Sequence, residues 1–221
     1  MSSVGRDIAE VFNDVGAKVF INETPTFDYI DSDLNTQVSN PFIREHMIEA
    51  TLPYDTIIQP GDIINFEATQ QRFLVVNYIP DVFENEVAAI SATIYKCNVY
   101  GYFYREKEIA ADDNTPMNFK YKRQVCWELV DQNYLVFTSA LRGNTSEMLG
   151  TQDFGDIVVK RHIVYLPSSM NIKTKDRLYI DDTEYYQVGN VEKRRFNNVM
   201  VISLHEDTRH VNYCSGEGGS S

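Results

Sequence analysis

One unit is written twice in this chain, and that repeat constrains the fold more than any other feature. LPYDTIIQPGD (Leu52 to Asp62) and LPSSMNIKTKD (Leu166 to Asp176) align without a gap on the Leu-Pro pair, on Ile58 and Ile172, and on the Asp itself. The match continues. IINFEATQQRFLVVN (Ile63 to Asn77) against RLYIDDTEYYQVGN (Arg177 to Asn190) brings Thr69 onto Thr183, Phe73 onto Tyr186, Val75 onto Val188 and Asn77 onto Asn190, with one residue of slack. NEVAAIS (Asn85 to Ser91) then meets NNVMVIS (Asn197 to Ser203). Residues 48–95 and 162–207 therefore read as two copies of a strand-turn-strand-loop-strand unit. Short strands joined by close turns are what a small SH3-like or OB-like barrel needs, and two copies do not make a solenoid. Asp62 and Asp176 open the first strand of each copy. Asp181 and Asp182 occupy the tight turn of the second, where Asp side chains satisfy local backbone donors.

The remaining sequence fits a mainly β fold with one short N-terminal helix. Ile8, Val11, Phe12 and Val15 recur at helical spacing and Gly16 follows as a stop, then Lys18 to Ile21 reads as a strand. Residues 22–41, with Pro25 and Pro41, read as an extended connection. Asn98 to Arg105 and Phe119 to Val130 read as the two arms of a long β-hairpin, with turn chemistry between them at Asp112, Asp113, Asn114 and Pro116. Gly143 to Gly155 reads as loop or short helix. The expected organisation is a helix and strand over 1–21, an extended arm over 22–47, a first β-barrel repeat over 48–96, a hairpin and connecting segment over 97–156, a second β-barrel repeat over 157–213 and a flexible tail over 214–221.

The formal net charge of −12 argues against general nucleic-acid binding as the main task, because such affinity comes from neutralising phosphates. The three cysteines, Cys97, Cys126 and Cys214, are odd in number and form no CxxC. That pattern argues against framework disulfides and for a reducing compartment, with Cys126, beside Trp127, read as core. No stretch approaches the length of a membrane span. The four histidines form no metal-binding motif, and neither a phosphate-cradling loop nor a nucleophile elbow is present. No enzymatic activity, cofactor or metal is expected. Lys193, Arg194 and Arg195 read either as a hairpin tip that meets phosphate or an acidic partner, or as a solvated loop. Lys120, Lys122 and Arg123, alternating with Phe119 and Tyr121, read either as a solvated strand face or as an aromatic nucleic-acid platform.

KTKDRLYIDDTEYYQVGNVEKRRF (Lys173 to Phe196), supported by RDIAEVFNDVGAKVFI (Arg6 to Ile21), resembles the head-closure and head–tail connector proteins of tailed bacteriophages. Those proteins carry an Asp-x-Leu-x-Ile-Asp-Gly-x-x-Tyr-x-Val run in a small β-barrel; this chain has Asp182 at the Gly position and is longer than a minimal stopper. The resemblance implies a virion protein made in the host cytoplasm. It would form a homo-oligomeric ring, six- or twelve-fold, in the neck, where it meets the portal or adaptor ring on one side and the tail or tail terminator on the other. Packaged DNA would pass its acidic walls without being read. Subunits would join through loops and by strand addition at sheet edges, with Phe27 and Tyr29 on the extended arm and Lys193, Arg194 and Arg195 as the interface residues. The alternative is a nucleic-acid-binding module of paired OB-like barrels, carried by Phe119, Tyr121, Lys122 and Arg123.

Overall fold

The computed structural model describes residues 3–33, 47–108, 125–140, 161–180, 184–209 and 213–214. It contains helix α1 (Ser3–Val15) followed by twelve strands: β1 (Ala17–Ile21), β2 (Phe27–Asp33), β3 (Met47–Pro53), β4 (Ile63–Phe66), β5 (Arg72–Phe83), β6 (Glu86–Lys96), β7 (Val99–Glu108), β8 (Val125–Ala140), β9 (Arg161–Pro167), β10 (Arg177–Ile180), β11 (Glu184–Phe196) and β12 (Val199–Glu206). They close into two antiparallel barrels of six strands, in the orders β1-β2-β3-β6-β5-β4 and β7-β8-β9-β12-β11-β10. Strand for strand these are the same topology. The matched sequence blocks cover β3–β6 and β9–β12. Each barrel adds two strands before them: β1 and β2 in the first, β7 and β8 in the second. The segment read as an extended connection thus contains β2. β8 continues past Val130, the expected end of the hairpin arm, through Ala140. The turn residues at 112–116, the platform residues at 119–123 and the segment 143–155 lie outside the described residues.

The repeat is an equality of hydrogen bonds as well as of letters. In the first copy the Gln59 N–H donates to the Asp62 carboxylate (2.8 Å), and in the second the Lys173 N–H donates to that of Asp176 (2.7 Å). The Asp62 and Asp176 carbonyls accept from Val75 and Val188, and the Gly61 and Lys175 N–H groups donate to the carbonyls of the same two valines. The residue before each Asp is left-handed, Gly61 at φ +93° and Lys175 at φ +77°, so a non-glycine residue holds in the second copy a conformation that glycine takes more cheaply. Ile63 and Ile64 pair with Leu74 and Phe73 as Arg177 and Leu178 pair with Gln187 and Tyr186. A bulge follows at the same place, between Val75 and Asn77 and between Val188 and Asn190.

The last block of the sequence match is out of step with the structure. Leu52 lies opposite Ile90, whereas Leu166 lies opposite Met200; Val75 lies opposite Ile94, whereas Val188 lies opposite Leu204. Both comparisons make Ile90 the counterpart of Met200, so Ser91 and Ser203 differ by two places. The slip escapes sequence reading because side chains in a strand alternate with a period of two, and a shift of two leaves every residue on its face.

Each barrel has its own core. Val19, Ile30, Leu52, Ile64, Val75 and Ile94 fill the first; Phe103, Leu135, Val164, Leu178, Val188 and Met200 fill the second. A third cluster joins them, with Ile63, Leu74 and Val76 of the first barrel against Val136 and Val199 of the second, and Tyr95, Tyr165 and Phe196 around it. The helix stripe is only partly inward. Phe12 is buried, but Val11 and Val15 are exposed.

Two expectations are corrected. Cys126 and Cys214 form a disulfide across 88 residues, with Cα atoms 4.9 Å apart, so one bridge is present and Cys97 is the free thiol. The odd count concealed a pair that only the fold brings together. Strand addition also loses its footing in the barrel bodies, because a closed barrel has no edge strand to offer.

Candidate functional site

Equivalent positions on the outer wall of the two barrels carry opposite chemistry. Ile63, Leu74 and Val76 are apolar and pack against the second barrel. Their counterparts are Arg177, Gln187 and Gly189. Arg177 has no solvent exposure. It is buried under the chain that follows β12. Its Nε donates to Asp207 Oδ2 (2.7 Å) and its Nη2 to the Arg209 carbonyl (2.6 Å). Its guanidinium carbon stands 4.1 Å from the Trp127 ring centre, and that of Arg209 4.6 Å. Asp207 also accepts from the Arg209 N–H, Nε and Nη2. Burial raises the Asp207 pKa, but the hydrogen bonds from Arg209 and Arg177 outweigh it and hold the carboxyl well below the usual carboxylate range. The segment is pinned again at Tyr213, which bridges to Trp127, and by the disulfide of Cys214 to Cys126. The second barrel thus closes over its own tail where the first closes over its neighbour.

Beside this cluster, tyrosines cover the outer face of the second barrel. Tyr134, Tyr100, Tyr102, Tyr179 and Tyr185 follow one another at ring-centre separations of 4.7, 5.2, 6.1 and 4.9 Å, and the Tyr213 hydroxyl donates to that of Tyr185 (3.4 Å). Arg72 from the first barrel lies 3.9 Å over the Tyr134 ring.

The hairpin of β11 and β12 bends back onto the first barrel. Phe196 enters the joining cluster and meets the Tyr165 ring at 6.2 Å. The Asn198 carbonyl lies so close to Gly61 that a Cβ there would be 2.3 Å away. Lys193, Arg194 and Arg195 are exposed on this hairpin, with Arg195 5.5 Å from the Phe196 ring. Phe27 and Tyr29 lie on β2 of the other barrel, in edge contact at 5.8 Å, with Lys18 Nζ 4.8 Å from the Phe27 ring. The two sets belong to different barrels. Asp62 and Asp176 are turn-forming residues: Asn22 Nδ2 donates to Asp62 (2.7 Å) and the Arg105 guanidinium donates twice to Asp176 (2.7 and 2.8 Å). Asp181 and Asp182 lie outside the described residues. Sequence reading missed Arg177, Asp207 and Arg209; the available signal was an Arg in the second copy where the first has Ile63.

No protein-family model matches the chain, and no curated protein or solved structure matches it. Among the described residues, no group of three His, Cys, Asp or Glu side chains could hold a metal. None of their helices is long and apolar enough to cross a membrane, which leaves spanning by strands unaddressed. Val4, Ile8, Val11 and Phe12, with Asp7, form a shallow, open apolar face on α1.

Proposed function

We propose that this chain is a structural subunit of a tailed-phage neck, built on SH3-like or OB-like barrels. It assembles as a ring between portal and tail, retains packaged DNA and gives the tail a docking face. The observation that carries the reading is the projecting hairpin of β5 and β6, which bears exposed Ile79, Val82, Phe83 and Val87 on an otherwise folded barrel. Exposed apolar side chains gathered on one element mark a protein contact. Acidic walls suit a passage for DNA, since they repel phosphate and leave it free to move. The decisive experiment adds purified protein to portal-bearing heads that lack it. The expected result is saturable binding at the portal vertex and retention of DNA; heads that neither bind the protein nor keep their DNA would overturn the reading.

The tyrosine face favours a second reading, a nucleic-acid module whose bases stack on aromatic rings. Its mark is single-strand binding that falls steeply with salt. Absence of binding at low salt removes it.

A further inference from the structure

The two barrels carry the same hairpin but use it differently. That of β11 and β12 is already docked, with its tip on the Gly61 loop of the first barrel. Among the described residues that of β5 and β6 has no such seat on the other barrel, although α1 packs beside its β6 arm, with Gly5 close to the Val87 carbonyl. Its ladder runs from Asn77 opposite Thr93 out to Phe83 opposite Glu86. Glu84 and Asn85 close it at φ +49° and +66°, the left-handed pair of a stiff two-residue turn. Val82 and Val87 face each other across the ladder, both exposed, and Phe83 is half exposed. Asp81, Glu84 and Glu86 surround them, all exposed.

The second barrel offers only the rim of an equivalent seat, because Lys175 stands where the first has Gly61 and its side chain fills the space the Asn198 carbonyl takes there. Its counterpart of the Gly61 loop is the turn that ends at Asp176, with Lys173 and Lys175 exposed on its rim. Arg209 lies beside them and donates to the Lys175 carbonyl (3.0 Å). The charge of the whole chain is divided the same way. Residues 1–96 hold fifteen Asp and Glu against five Lys and Arg, while residues 97–221 hold seventeen against fifteen. The exposed large hydrophobic residues among those described all fall between Val11 and Val87. Pairing two first barrels would set acid against acid, so the favourable contact is heterologous.

We infer that the β5–β6 hairpin of one copy seats on the Lys173–Lys175 rim of the second barrel of another copy, joining subunits head to tail. Glu84 and Glu86 meet the lysine ammonium groups, and Phe83 lies under a lysine stem. The chain already makes that arrangement once, where Lys18 Nζ stands 4.8 Å from the Phe27 ring and 3.1 Å from Glu67. The tail seals the wall around Arg177, so the contact is confined to the rim and is weak for a single pair. It specifies the joint of the proposed ring, and it rests on that reading only for ring closure.

The test is sedimentation equilibrium of the purified full chain from low micromolar to submillimolar concentration, at low and high salt. Two charge-reversed variants are compared with it, Glu84→Lys with Glu86→Lys, and Lys173→Glu with Lys175→Glu. All four positions are exposed, but Glu86 has a partner within the fold, so Glu84→Lys alone is compared as well, and folding is checked by unchanged thermal unfolding. The wild type should associate with concentration and dissociate with salt. Each variant alone should bind itself roughly tenfold or more weakly, and an equimolar mixture of the two should associate again. A wild type that stays monomeric throughout, or variants that associate like it, would overturn the inference. Rings that form regardless of both variants would leave the neck reading standing without this joint. Association as described, with no binding to portal-bearing heads, would leave the joint standing without the neck.

Discussion

Replacing Asp207 by Asn should unfold the second barrel far more easily than its small change in volume suggests. Both partners of the Arg177–Asp207 pair are essentially solvent-free, at 0% and 1% side-chain exposure. Asn keeps the shape but removes the charge, and a buried guanidinium is left uncompensated. Breaking such a pair costs about 3–5 kcal/mol, whereas replacing both members by apolar residues is often close to neutral. The variant Arg177→Leu with Asp207→Leu should therefore recover much of the loss. Urea unfolding followed through Trp127 reads this directly, since the chain's one tryptophan lies against Arg177 and Arg209. A second signature is pH. The Asp207 pKa is depressed in the fold, so its contribution is whole above the unfolded value near ~4 and is lost as pH falls toward the folded one. Wild type should lose stability on that acid limb more steeply than Asp207→Asn. A loss below about 1 kcal/mol, or an unchanged acid limb, would refute the account of a charge held by its partner.

Reduction of the Cys126–Cys214 bridge should cost stability, because it closes an 88-residue loop; the chain-entropy estimate is about 4–5 kcal/mol, read as the difference in urea midpoint with and without reductant. Gly61→Ala should destabilise by about 2 kcal/mol or more in the same assay, since the left-handed backbone and the Asn198 carbonyl both exclude a Cβ. The Cys97 thiol, pushed up to about 12 by burial, should resist a thiol reagent at neutral pH and react fully in denaturant, as timed by absorbance.

What could be read from the sequence was whatever depends on a side chain answering its own backbone. Asp62 and Asp176 were visible because a carboxylate that caps its own turn is hard to replace. The strands before the matched blocks were not visible as equivalents. Gly101 stands where the first barrel has Val19, and Phe103 where it has Ile21; the barrel asks only that the pair fill a volume, which unlike residues do as well. Lys193, Arg194 and Arg195 were legible as a hairpin cluster, but nothing local says that the hairpin folds back on the other barrel. The disulfide and the Arg177 cluster join residues far apart in sequence, and only the closed topology brings them within reach. The exposed β5–β6 hairpin was hidden for the opposite reason: Pro80 and Asp81 interrupt the apolar run and read locally as a strand end, although the ladder continues to Phe83.

The sulfur bridge also sets how the molecule bears a load. A pull applied at the C-terminus enters at Cys214 and crosses to Cys126, hence into β8. The segment between β12 and Cys214 is bypassed, and Asp207 with its two arginines is not stretched while the bridge is intact. Under reduction the same pull would travel along that segment to β12, lifting Tyr213 from Trp127 and then Arg209 from the Lys175 carbonyl before it reaches the Asp207–Arg177 pair. Tension that β8 shares along its ladders with β7 and β9 would then fall on a few hydrogen bonds loaded in sequence.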